Sequence, residues 1–256
     1  MSDWGKGAKN NTVGYGQGAC DNSVGWGQTQ KDSSVAQSWS GDTDISGCSG
    51  GGSGLAQIDN VYSMSFDGSS DYIDIGLRPK LSATEFTWSF WIYPTSTSGT
   101  RAIYSQSSPV NFQQTGYLAI NGATLALDVW LTGTYSTGPN FVTLNEWQHI
   151  VATRDSSNIV RLYRNGVVFN SAGQAQAGGG QAANGYIGSW IYDGPPVSRG
   201  LYFGGKIDEG ALFNVALTDS QILSIYNGTA IVGGVNKTAD LNGLPTPPIK
   251  WYRMGD

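Results

Sequence analysis

Residues 86–94 read FTWSFWIYP, which in an extended chain places Phe86, Trp88, Phe90 and Ile92 on one side and Thr87, Ser89, Trp91 and Tyr93 on the other. A helix would scatter these residues around its circumference. A strand collects four large apolar side chains on one face, and that face needs a second layer to cover it. Downstream, TLALDVWLTG (124–133) sets Leu125, Leu127, Val129 and Leu131 against Ala126, Asp128, Trp130 and Thr132. WQHIVATRD (147–155) and IVRLYRNGVVF (159–169) follow. Within the latter, Asn165-Gly166 signals a two-residue hairpin, because a type I′ turn needs positive φ at both central positions. Short alternating segments with turn signals between them predict an all-β fold, a two-sheet antiparallel jelly-roll sandwich. One helix is expected in LTDSQILSIYNG (217–228), where Thr218 and Gln221 have capping-box spacing, Ile222, Ile225 and Tyr226 form a stripe, and Asn227-Gly228 stops the run. It is expected to plug one end of the sandwich.

Composition agrees with tightly turned β-structure. The 256 residues include 37 Gly, aromatics make up 12 %, and charged residues are 13 % against about 25 % in an average globular chain. A net charge of −5 with 14 Lys and Arg and no basic run excludes the neutralisation of a phosphate backbone. No segment reaches the ~20 apolar residues of a spanning helix. Met1–Gly5 carries neither a basic nor an apolar export region, so synthesis and assembly in the cytoplasm are expected.

Three regions follow. Residues 1–54 are a Gly-rich arm in which Trp4, Tyr15 and Trp26 stand eleven residues apart, each followed by Gly, with Val13, Val24 and Val35 closing each unit. Trp39 continues the aromatic series, and SGCSGGGSG (46–54) ends the arm as a linker. One aromatic and one Val per unit offer too little apolar surface to order Gly-rich backbone. Trp4, Tyr15, Trp26 and Trp39 therefore read as anchors for a partner surface. Cys20 and Cys48 lie in this arm and read as free thiols. Residues 55–228 form the sandwich, and the Pro-rich residues 229–256 read as a C-terminal extension.

The segments YSMSFDGSSDYIDIG, FTWSFWIYP, LNEWQHIVATRDSSNIVRLYRNGVVFN, NGYIGSW and GGKIDEGALFNVALTDSQI, in that order, resemble the laminin-G-like, concanavalin A-like lectin/glucanase jelly-roll family. The likeness rests on Phe66-Asp67-Gly68, Trp91, Trp147-Gln148-His149, Asn165-Gly166 and Ile207-Asp208-Glu209. It implies two face-to-face antiparallel sheets with the first and last strands of residues 55–228 adjacent. The arm and KWYRMGD (250–256) resemble segments of virion proteins from tailed bacteriophages, which implies attachment to capsid, neck or tail proteins and display as a decoration or fibre-like knob. A closed symmetric homo-oligomer, as a trimer, is the expected assembly.

Glycosidases of the resembled family use paired carboxylates, ~5 Å apart when retaining. Glu85, Glu146 and Glu209 are far apart in sequence, and in a regular strand Asp208 and Glu209 would point to opposite faces. His149 is the only histidine, so no His-based triad or multi-His metal site exists within one chain, and it reads as a structural residue. No catalytic residue is assigned. Asp67, Asp71 and Asp74 cluster in FDGSSDYID, and adjacency of the first and last strands would let Asp67 or Asp71 share a calcium ion with Asp208; Asp67-Gly68 is equally an ordinary turn. For sugar binding, GSWIYDGPPVSRGLYF (188–203) gathers Trp190, Tyr192, Asp193 and Arg199, with Trp130 or Tyr135 on a neighbouring rim. The sequence supports two functions: a non-enzymatic virion structural protein with host-glycan adhesion, or a lectin in which sugar recognition is the main role.

Overall fold

The computed structural model describes residues 54–78, 85–107, 114–122, 124–129, 133–138, 140–174, 183–192, 198–232 and 234–255. Trp4, Tyr15, Cys20, Trp26, Trp39 and Cys48 lie outside the described residues, and the fold below belongs to the unit Leu55–Asp256.

In chain order the first strands are β1 (Gln57–Asp59), β2 (Met64–Asp67), β3 (Ile73–Arg78), β4 (Phe86–Pro94), β5 (Thr100–Ser107) and β6 (Gln114–Asn121). Then come β7 (Thr124–Val129), β8 (Gly133–Ser136), β9 (Gln148–Arg154), β10 (Ile159–Arg164), β11 (Val167–Gln174) and β12 (Ala183–Ile187). β13 (Trp190–Tyr192), β14 (Ser198–Gly200) and β15 (Gly204–Phe213) precede the helix α1 (Asp219–Asn227). β16 (Ala230–Val232), β17 (Val235–Ala239) and β18 (Lys250–Tyr252) complete the chain.

Two antiparallel sheets stack face to face. The six-stranded sheet runs β3-β12-β5-β6-β7-β8, and the seven-stranded sheet runs β11-β10-β9-β4-β15-β18 with β2 also paired to β15. The apolar face of FTWSFWIYP lies between them: Phe86, Trp88, Phe90 and Ile92 join Tyr104, Leu118, Ile120, Ile150, Leu162 and Ile187 in one core. Trp88 stacks on Phe86 and meets Tyr104 edge-on, both at 4.8 Å between ring centroids. Truncating a ring buried this way costs about 3–5 kcal/mol. Asn165 and Gly166 adopt φ of 52° and 79° at the β10–β11 turn, as the sequence predicts.

The other face of the seven-stranded sheet is buried as well. Val151, Tyr163, Ala211 and Phe213 alternate with core residues and pack under Ile222 and Ile225 of α1 and under Ala239, Leu241 and Leu244. The Tyr163 hydroxyl donates to Asp219 of the helix at 2.8 Å. The helix therefore lies across this outer face, where apolar residues on alternate strand positions need cover, and does not plug an end. Its capping box is formed: the Gln221 N–H donates to Thr218 Oγ1, and the Thr218 N–H donates to Gln221 Oε1.

Residues 229–232 and 234–255 are part of this fold and not an appendage. β17 pairs with β1, and β18 pairs with β15. One edge of β15 is shared, β2 taking Gly204–Ile207 and β18 taking Gly210–Leu212. Between the two partners β15 bulges at Asp208–Glu209, where Glu209 has φ 49°. β15, the last strand of residues 55–228, lies beside the second strand, β2, whereas the first strand, β1, pairs with β17 outside that span, so the expected adjacency of first and last strands is replaced by that of second and last.

Candidate functional site

On the six-stranded sheet, register aligns Asp74 with Tyr186, Tyr186 with Ser105, and Ser105 with Tyr117. These four alternate with Ile75, Ile187, Tyr104 and Leu118 of the core, so they share the outer face. Tyr72, which precedes β3, stands edge-on to Tyr186 at 6.3 Å, and the Arg199 guanidinium lies 5.4 Å from the Tyr72 ring centroid. Tyr72 and Arg199 are both exposed. The result is a rim of aromatic rings with a cation, a carboxylate and phenol groups close by.

The β13–β14 hairpin is rooted on this face, because the Ser105 hydroxyl donates to the Ser189 carbonyl at 2.8 Å. Its register opposes Trp190 to Gly200, and Ile191 to Arg199. Directly opposed residues of an antiparallel pair share a face, so Trp190 and Arg199, grouped by sequence, sit on opposite faces of the ribbon. Ile191 is buried, and Arg199 reaches from its side to Tyr72. Trp190 is half-buried beside Gly200, where a Cβ would meet nothing within 4 Å. Asp193 and Trp130 lie outside the described residues, as do the side chains of Tyr192 and Tyr135.

The proposed calcium ligands are not brought together. Asp67 opposes Gly204, whereas Asp208 is four residues further along β15, a separation of about 13 Å at ~3.3 Å per residue. The Asp67 carboxylate instead closes its own turn, accepting from the backbone N–H groups of Ser69, Ser70 and Asp71 at 2.8 to 3.0 Å and from the Ser69 and Ser70 hydroxyls. Those bonds, that to Ser69 foremost, hold its pKa well below the usual carboxylate range. Asp71 shares the turn by accepting the Asp67 N–H, and Asp74 caps the Gly76 N–H. Among the described residues no group of three or more His, Cys, Asp or Glu side chains is placed to hold a metal ion, so the set Asp67, Asp71 and Asp208 does not fit calcium.

The bulge also changes the reading of Asp208 and Glu209, because strict alternation does not extend across it. Both are buried. Glu209 accepts from the Trp251 indole N–H and pairs with Arg253 at 3.5 Å. Burial, with the neighbouring Asp208 charge adding to it, pushes the Glu209 pKa up to about 7 against the opposing Trp251 and Arg253. His149 is fully buried, with Nε2 2.8 Å from the Ser89 hydroxyl, and desolvation lowers its pKa to about 3.

Tyr72, Tyr186 and Tyr117 are the site residues that sequence reasoning missed. Tyr72 stands in the quoted stretch FDGSSDYID, but only the register of β3 and β12 shows that it faces Tyr186.

Two antiparallel sheets stacked face to face, with the exposed Tyr72 ring beside the buried Tyr186 on the outside of one of them, make a jelly-roll sandwich. A laminin G-type family model, described as the Concanavalin A-like lectin/glucanases superfamily, matches residues 67–223, and the chain belongs to that family. Similar solved structures include a native heptameric SAP-like pentraxin from Limulus polyphemus, 17 % identical over 64 % of this chain and 81 % of that one, with a TM-score of 0.55. A putative carbohydrate binding protein from Bacteroides ovatus is 17 % identical over 75 % of this chain and 53 % of its own, with a TM-score of 0.52. The K499G mutant of NanB sialidase from Streptococcus pneumoniae is 16 % identical over 66 % of this chain but 28 % of its own, with a TM-score of 0.51. At these identities the likeness is one of fold. No curated protein matches the chain.

Proposed function

We propose that the sandwich is a non-catalytic carbohydrate-binding domain that takes glycans on the outer face of the six-stranded sheet, at the rim formed by Tyr72 and Arg199. The observation that carries this reading is the exposed Tyr72 ring with the Arg199 guanidinium laid on it, beside Tyr186 and within the row that contains Asp74. Sugar rings present C–H faces that stack on aromatic rings, and hydroxyls that need donors and acceptors at the ring edge. Trp190, next to open space at Gly200, offers a second ring on the other side of the hairpin. Membership of a lectin/glucanase family supports sugar recognition, as does the name of the Bacteroides ovatus protein. The non-catalytic reading rests on Glu209, which is buried with the neighbouring Asp208 and engaged by Trp251 and Arg253. A glycan array with the full chain tests this function. Wild type is expected to bind a defined subset of glycans, with Tyr72→Ala and Trp190→Ala each at least tenfold weaker at unchanged melting temperature. Background binding by wild type, or undiminished binding by both variants, would sink the reading.

The eleven-residue aromatic repeat supports a second element of the proposal. Trp4, Tyr15, Trp26 and Trp39 anchor the arm to another protein, the capsid, neck or tail of a bacteriophage virion, so that the sandwich is displayed and adheres to host glycans. Deleting residues 1–50 is expected to abolish incorporation into particles while leaving glycan binding intact. Incorporation of the shortened chain at the wild-type level would end the anchoring proposal without touching the sugar-binding one. Light scattering on the full chain tests the expected homo-oligomer, with a trimer as the predicted mass.

A further inference from the structure

We propose that the outer face of the seven-stranded sheet carries a second saccharide site, separate from the rim described above. Trp91 alternates with Phe90 and Ile92 of the core, and Lys206 and Asp208 flank the core residue Ile207, so all three belong to this outer face. Together with residues 60–63, Trp147 and parts of β16 and β17, they line a cleft of about 380 Å³. That size falls in the range of small-molecule pockets, about 300–1,000 Å³, and holds a mono- or disaccharide.

Three features of the lining select the ligand class. The first is aromatic. Trp91 is fixed by stacking on His149 at 5.2 Å and on Tyr226 at 5.9 Å. Trp147 is braced by Tyr93 at 5.7 Å yet remains 40 % exposed, so the cleft has one rigid wall and one accessible ring.

The second is unmet hydrogen bonding. Asn60 Oδ1 and Thr229 Oγ1, on two of the lining residues, are buried and make no hydrogen bond. A buried polar atom left so is destabilising, and a hydroxyl-bearing ligand or the water it retains relieves that cost.

The third is charge. The lining carries the Lys206 and Lys237 ammonium groups and the Asp208 carboxylate, and Lys237 is already paired with Asp59, which leaves Lys206 and Asp208 as charges of opposite sign on one strand. A phosphate or a carboxylated sugar would meet Asp208, and an amine would meet Lys206, whereas an uncharged sugar offers hydroxyls to both. Aromatic surface, open hydrogen-bonding groups and balanced charge together specify a neutral saccharide. Since the two sheets stand between this cleft and the Tyr72 rim, one domain can hold two glycan chains on opposite faces.

The test is a titration of the full chain with the methyl glycosides of glucose, galactose and N-acetylglucosamine, followed through the indole N–H resonances. At least one glycoside is expected to shift Trp91 and Trp147. Trp147→Ala should weaken that binding at least tenfold, as should Lys206→Ala, an exposed substitution that serves if the first variant fails to fold. Trp190→Ala should leave the Trp91 shift in place. If no glycoside shifts Trp91 or Trp147, or if binding survives in both cleft variants, the second site does not exist. Shifts confined to Trp190 would leave the rim standing and remove the cleft, and shifts confined to Trp91 and Trp147 would support the cleft and count against the rim.

Discussion

The Trp251 indole N–H donates to Glu209 Oε2 at 2.5 Å, tying the last strand of the chain to the bulge of β15. Glu209 has a folded pKa of about 7 against an ordinary 4.5. A carboxyl raised in this way contributes stability that is complete below pH 4.5 and is lost as pH rises to about 7. Glu209→Gln mimics the protonated form. Its advantage over wild type in thermal melts is therefore expected to be largest above pH 7, on the order of 3 kcal/mol, and to vanish below pH 4.5. Trp251→Phe removes a donor that favours the charged form and should push the Glu209 pKa higher still, as read by carboxyl chemical shifts.

His149 works in the opposite direction. Its folded pKa of about 3 lies below the ordinary 6.5, so the stability of its neutral form is complete above pH 6.5 and lost as pH falls towards 3. Between pH 6.5 and 4.5 the two effects oppose each other. Wild-type melting temperature should be nearly flat there, and Glu209→Gln should unmask a decline of roughly 2–3 kcal/mol, about one to two pKa units of linkage. A Glu209→Gln protein equally stable at pH 6.5 and 4.5 would contradict the His149 assignment.

Deleting residues 249–256 removes β18, uncovers the β15 edge and strips Glu209 of both Trp251 and Arg253. Loss of the cooperative unfolding transition in circular dichroism is the expected outcome. An appended tail would leave that transition where it was.

Gly205 has φ 134°, and a Cβ there would lie 2.1 Å from the Tyr93 carbonyl oxygen on the neighbouring strand. Gly205→Ala is expected to abolish folding or cost well over 3 kcal/mol, because backbone on both sides must move. Gly99→Ala is the control: φ is 71° with nothing within 4 Å of a Cβ, so only left-handed strain is added, roughly 1–2 kcal/mol. Denaturant midpoints separate the two.

Thr218→Ala removes the helix N-cap and should cost about 1 kcal/mol. Ile222→Ala, beneath the same helix and fully buried, should cost about 2–5 kcal/mol. Equal losses in urea unfolding would mean that α1 is not held mainly by its apolar face.

The local features of this protein were legible in its sequence because each is made by neighbouring residues. Period-two alternation gives β4 its core face, positive φ at Asn165 and Gly166 gives the hairpin, and Thr218 with Gln221 gives the helix start. Pairings between distant residues were decided only by the tertiary structure. Lys250–Tyr252 shows no local sign that it will meet Gly210–Leu212, some forty residues earlier. The bulge at Asp208 and Glu209 breaks the ladder between β15 and β4 at the point where the other edge of β15 passes from β2 to β18. Register likewise parted Trp190 from Arg199, and Asp67 from Asp208, while side-chain packing set Tyr72 against Tyr186 and Trp91 against Tyr226 of the helix. Composition placed aromatic rings and carboxylates in the right segments. Which of them share a surface depends on non-local hydrogen-bond ladders, since a shift of one residue in a ladder moves a side chain to the other face.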